Sequence, residues 1–189
     1  MKSSLHHPTF HANPTPWLVG TLAWALGFTA VADPQPSTPI QNAVAKQSRP
    51  AEDRQRDADR KPAEVLAYAG VAPGMTVADL MAGGGYYTEM LSSLVGTSGT
   101  VYAQNNAIAL GRFADAAIAK RLRDDRLPNV IRWDRELEDL GLPPGGIDVA
   151  LLVLFYHDTY WMKLDRAAMN REILTALKPG GTFIVIDHH

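Results

Sequence analysis

Beyond Pro62, short apolar runs alternate with longer stretches of helical spacing. The residues from Thr76 to Met81 form one such run, and it ends in Gly83-Gly84-Gly85. Thr100 to Ala103 and Asn129 to Trp133 form two more, the second of them weaker. Asp148 to Phe155 (DVALLVLF) is apolar on both faces, the pattern of a central strand in a parallel sheet covered by helices. Thr182 to Ile186 gives a fifth strand after the turn Lys178-Pro179-Gly180-Gly181. Helices are predicted between these runs. One opens at Pro62 with Val65, Leu66 and Tyr68 as its apolar stripe. One covers Tyr86 to Leu94, and one runs from about Ala107 to Arg123. One from about Asp165 to Leu177 carries Met169, Ile173, Leu174 and Leu177 on one face. Five strand–helix units joined by right-handed crossovers predict an α/β fold with an open, doubly wound, mostly parallel sheet. Such sheets bind ligands at the carboxyl ends of their strands. The places to look are therefore Asp79 to Gly85, Gln104 to Asn106, Asp134 to Asp139, Tyr156 to Trp161 and Asp187 to His189.

The first 61 residues follow a different pattern. Trp17 to Ala32 is almost wholly apolar, Lys2 is the sole charge before Asp33, and Ala30-Val31-Ala32 fits a small-residue cleavage site. At sixteen residues the run is shorter than the roughly 20 that span a bilayer. Residues 1–32 therefore read as a cleaved signal peptide, which implies a periplasmic or secreted protein without stable membrane association. Asp33 to Pro50, rich in Pro, Gln and Ser and without helical spacing, reads as a linker. The mixed-charge stretch Ala51 to Lys61 reads as a solvated helix or arm opening a domain over 51–189.

Composition narrows the chemistry. Of 189 residues, 46% are hydrophobic and 20% charged, enough for one packed domain. Eighteen basic against 20 acidic residues leave a net charge of −2, which argues against nucleic acid as a partner. The absence of cysteine excludes disulfides, thiol catalysis and cysteine-ligated zinc.

The segment from Val77 to Thr88 joins strand to helix through its glycines, which permit a tight turn and close approach of a ligand to main-chain N–H groups. Asp79 falls at the strand tip, where a carboxylate can hold a cationic amine. Thr88 stands where a dinucleotide GxGxxG starting at Gly83 needs glycine, and no Gly-Lys-Ser/Thr follows for a P-loop.

Three motifs in order give a resemblance. Asp79-Leu80-Met81-Ala82-Gly83-Gly84-Gly85 resembles the acid-x-Gly-x-Gly-x-Gly motif of the class I S-adenosylmethionine-dependent methyltransferases, a Rossmann-like fold. Glu136 to Asp148 resembles that family's acidic exit from strand three into strand four, and Leu177-Lys178-Pro179-Gly180-Gly181 its turn before strand five. The resemblance covers roughly Ala51 to His189. More narrowly, the chain is similar to a group of exported, uncharacterised predicted methyltransferases that carry AGGGYYTE and FYHD stretches. The resemblance implies S-adenosylmethionine as cofactor and a small-molecule acceptor. It places Asp79, Gly83, Gly84 and Gly85 around the methionine end, Asn105 at the ribose and Glu136 beside the adenine. Two departures lower the affinity expected: Met81 replaces the family's first glycine, and Asn105, with Gln104, replaces the ribose carboxylate. A non-catalytic binding module of the same fold is the rival reading.

Of six histidines, His157, His188 and His189 follow strands four and five, flanked by Asp158 and Asp187. Three readings stay open. His157 or Asp158 acts as general base on the acceptor; or Asp158, Asp187, His157 and His188 hold a metal; or the residues only cap a turn. Their spacing matches no known ligand signature, so no resident metal is expected. Phe155, Tyr156, Tyr160 and Trp161 suit an aromatic acceptor pocket or core packing. Family sheets have seven strands, whereas this chain ends after the fifth. The expectation is a truncated chain, or a homodimer through the exposed edge of strand five.

Overall fold

The computed structural model describes residues 35–188; the apolar run at 17–32 and His189 lie outside that range. Five parallel strands form one sheet: β1 (Thr76–Leu80), β2 (Thr100–Asn105), β3 (Val130–Asp134), β4 (Ile147–Val153) and β5 (Leu177–Ile186), in the spatial order β3-β2-β1-β4-β5. The α/β expectation holds.

Strand alternation sends neighbouring residues to opposite faces, and the two cores follow that rule. Val77, Val101, Val149 and Leu151 pack on one face, beneath helices α1 (Thr38–Ala45), α4 (Pro62–Ala69) and α5 (Tyr86–Val95). Ala78, Leu80, Ala150 and Leu152 pack on the other, with Leu137, Leu140 and the α9 (Arg166–Ala176) residues Met169 and Ile173. The central strands β1 and β4 are covered on both sides, which is why they are mostly apolar, with Val149 to Val153 as the longest uninterrupted run.

Several elements differ from the sequence reading. The expected linker contains α1, opened by Pro39 in its first turn, with Ile40 and Ala43 buried in the core. Two buried apolar residues in a polar stretch make too faint a stripe to see without the partner helix. The expected solvated arm is two short helices, α2 (Ala51–Gln55) and α3 (Asp57–Arg60), with Asp53 buried. The single helix expected from Ala107 is four pieces: α6 (Ala107–Ala109), a π turn (Leu110–Ala114), α7 (Asp115–Leu122) and a 3-10 turn (Arg123–Asp125). Tyr68 and Leu174, both assigned to apolar stripes, are 64% and 73% exposed. The Lys178–Gly181 turn lies inside β5, where the pairing with β4 shifts register between Ile147 and Val149.

Candidate functional site

From β1 the chain winds to β2 and β3 on one side and then to β4 and β5 on the other. The switch point lies between the carboxyl ends of β1 and β4, where such sheets open a crevice. A cavity of about 1450 Å³ occupies that place. Met81 to Gly84 line it from the β1 exit, Val153 to Phe155 from the β4 exit, and Asn106 from the β2 exit. Two of these residues, Met81 (φ 52°) and Leu154 (φ 55°), adopt the left-handed conformation that side chains disfavour by roughly 1–2 kcal/mol. Strained backbone at two adjacent strand ends is typical of a functional crevice. The φ of Met81 also shows that this position takes the turn that a glycine would favour.

The glycine turn is braced from β2. Gln104 Oε1 accepts from Met81 N at 2.9 Å, Gln104 O from Ala82 N at 2.8 Å, and Asn105 Oδ1 from Gly83 N at 2.8 Å. Asn105 Nδ2 returns a bond to Gly83 O at 3.0 Å. Gly85 N donates to Ala82 O. Among residues 81–85, Gly84 N–H alone has no protein acceptor among the described residues. Glycine at 84 avoids a tight contact, because a Cβ there would stand 3.0 Å from Ala117 Cβ. Glycine is needed at 85 because φ is +83° and a Cβ would meet Arg121 Cδ at 2.7 Å.

Arg121, on α7, is the hub of the wall. Its Nε donates to Gly84 O, its Nη1 to Glu89 Oε2 at 2.5 Å and its Nη2 to Asp53 Oδ2 at 2.6 Å. Arg126 also holds Glu89, and donates to Ser48 O at 2.6 Å. Burial pushes the Asp53 carboxyl up, but its bonds from Arg121 and Arg56 outweigh that and leave it below the usual range. Nearby, Arg49 holds Asp57 through two bonds of 2.8 Å, and Tyr86 OH donates to Asp57 Oδ1 at 2.6 Å. The mixed-charge stretch thus supplies Glu52, Asp53, Arg56 and Arg60 to the cavity lining and is anchored by the ion pairs of Asp53 and Asp57.

Of the residues singled out from sequence, Gly83, Gly84 and Asp158 line the cavity. Asp79, Gly85, Asn105, Glu136 and His157 are not among its lining residues. Asp79 is buried under the turn and accepts from Thr88 Oγ1 at 2.5 Å; burial raises its pKa to about 6, against the opposing pull of the Thr88 bonds. Asn105, expected at the ribose, pairs its amide oxygen and nitrogen with Gly83 and braces the turn. Glu136 is exposed and accepts from Ala107 N at 3.0 Å. His157 turns away toward Asp187. Phe155 both lines the cavity and packs on the core, while Trp161 is 74% exposed at the cavity's edge.

The sequence reading placed Asn106 at a strand end worth inspecting but gave it no role. Its Oδ1 caps α6 by accepting from Ala109 N at 2.9 Å, and its buried Nδ2 has no partner among the described residues. An Asn before a helical stretch signals a cap; nothing in the sequence signals the spare donor.

No protein-family model matches the chain. It is 28% identical over 123 residues to the ubiquinone/menaquinone biosynthesis C-methyltransferase UbiE of Shewanella woodyi, covering 63% of this chain and 45% of that relative. A solved S-adenosylmethionine-dependent methyltransferase from Aquifex aeolicus matches with a TM-score of 0.56 and 27% identity, over 66% of this chain and 62% of that one. The fold is that of the class I S-adenosylmethionine-dependent methyltransferases. The methyltransferase fold is also shared by CrArsM, an arsenic(III) S-adenosylmethionine methyltransferase from Chlamydomonas reinhardtii, with a TM-score of 0.54 and 22% identity over 79% of this chain and 48% of that one. The chain spans less than half the length of the Shewanella methyltransferase and under two thirds of the Aquifex one.

Proposed function

We propose that the protein transfers a methyl group from S-adenosylmethionine to a small-molecule acceptor. The observation that supports this most directly is the cavity at the sheet's switch point, lined by a glycine turn with one free N–H and by Asn106, whose buried Nδ2 has no partner among the described residues. A buried donor without a partner costs about 1–3 kcal/mol, and a ligand oxygen at that place would relieve it. Asn106 would hold the ribose, Gly83 and Gly84 would let the ligand approach the backbone, and Met81 would border the methionine end. When bound, the cofactor supplies an electrophilic methyl group on a sulfonium centre. The chain's own task is then to align a nucleophile and take its proton. Asp158, which lines the cavity, would take that proton in this reading, rather than His157, which does not line it. Ile108, Phe113 and Trp161, all exposed and all lining the cavity, favour an acceptor with an apolar or aromatic body.

Calorimetry of the full chain with S-adenosylmethionine and S-adenosylhomocysteine tests the reading. Saturable binding of both supports it. No heat at millimolar ligand would leave a binding module of the same fold. Export through the run at 17–32 belongs to the same proposal and is checked by sequencing the N-terminus of the protein recovered outside the cytoplasm.

A further inference from the structure

The ends of β4 and β5 bring together a cluster that the cavity does not use. His157 Nδ1 and Asp187 Oδ1 stand 2.7 Å apart, sharing a hydrogen. The ring of His188 lies beside that of His157, with centroids 5.4 Å apart. One candidate ligand atom from each of His157, Asp187 and His188 lies within 4.8 Å of the other two. The contributing residues are 30 positions apart in sequence and meet because β4 and β5 are parallel neighbours, with Val153 opposite Ile186.

We propose that His157, Asp187 and His188 form a site for a divalent transition-metal ion such as zinc. Two imidazoles and one carboxylate are a donor set suited to zinc or nickel rather than to magnesium or calcium. The ion takes the place of the hydrogen between Nδ1 and Oδ1, and the neutral His157 ring then carries its hydrogen on Nε2. Ligands at roughly 2.0–2.2 Å from zinc stand a little over 3 Å apart, so the Nδ1–Oδ1 pair opens slightly and the exposed His188 ring swings in. The surroundings of such a site are already present. The Asp187 carboxylate is fixed by the backbone N–H groups of His157 and His188, each at 2.9 Å. On the other side of the His157 ring, Nε2 faces Asp158 Oδ2 at 3.5 Å. A histidine that ligates through one nitrogen typically offers the other N–H to a carboxylate, which orients the ring. Bound metal thereby pins the exit of β4 to the end of β5. Because Asp158 also lines the cavity, the ion sits behind the cavity wall rather than in it.

Calorimetric titration of the metal-free full chain with Zn²⁺ tests the site, with Mg²⁺ as the comparison and no S-adenosylmethionine present, so the outcome is independent of the methyl-transfer reading. One zinc per chain is expected, with little response to Mg²⁺. His157→Gln with His188→Gln is expected to abolish uptake, and Asp158→Asn to weaken it roughly 10- to 100-fold. A variant with His6, His7, His11 and His189 changed to Gln is expected to bind as the parent does. The parent chain binding no zinc would overturn the proposal. So would uptake that survives His157→Gln with His188→Gln but is lost in the other variant. The changed histidines 157 and 188 are exposed, and circular dichroism verifies that the variants stay folded.

Discussion

At the scale of single residues, the site rests on buried polar groups in three different states of satisfaction. Asn105 is fully used, Asp79 is held against the cost of burial, and Asn106 keeps one donor idle. Asp79 gives a pH dependence with a definite sign. Its folded pKa is about 6, against about 3.9 in an unfolded chain. Below both values the group is protonated in both states and contributes nothing. As pH rises from about 4 to about 6, the unfolded chain ionises first and the native state loses up to roughly 3 kcal/mol. Asp79→Asn, which keeps an acceptor for Thr88, is therefore expected to be more stable than the parent at pH 8, with the difference closing toward pH 4. Urea melts of the two proteins across that range check this; a gap independent of pH would contradict it. Asn106→Ser keeps a capping oxygen and removes the amide donor. S-adenosylhomocysteine affinity is expected to fall about 5- to 30-fold, while the melting temperature hardly moves.

At the scale of elements, the cavity wall depends on a charge network between segments that the sequence shows as unrelated. Arg121→Met leaves Asp53 and Glu89 buried with only Arg56 and Arg126 to balance them. Breaking such a buried set costs about 3–5 kcal/mol. Amide exchange is expected to quicken in residues 49–60 and in the glycine turn before it does in β4; uniform quickening would mean that the network is not local. The strands were legible because β4 carries the uninterrupted apolar run Val149 to Val153, β1 is broken only by Asp79, and glycines follow β1 and precede β4. The piece at 38–45 was not, since Ile40 and Ala43 only become a stripe once α5 lies against them. Arg121 was equally hidden. A lone arginine in a charged helix looks solvated, and its three partners come from positions 53, 84 and 89. The acid of the glycine motif was found, but its placement under the turn could not be read from spacing alone.

At the scale of the whole molecule, the sheet order decides where ligands go, and Gly83, Gly84 and Asp158 meet there because β1 and β4 are neighbours. The same order places His157 and Asp187 side by side yet outside that cavity. The FYHD stretch therefore serves two neighbourhoods at once. Its aspartate lines the cavity, and its histidine faces the end of β5.

The Arg121 hub has a bearing on how the protein comes into being. Its guanidinium joins Asp53, 68 positions away, to a carbonyl 37 positions away, so the pocket wall is closed by some of the most distant partners in the chain. Distant partners meet late when a polypeptide folds. Stopped-flow refolding is therefore expected to show tryptophan burial at Trp133 ahead of the ability to take up S-adenosylhomocysteine: the sheet would exist, briefly, as a scaffold with nothing yet to hold.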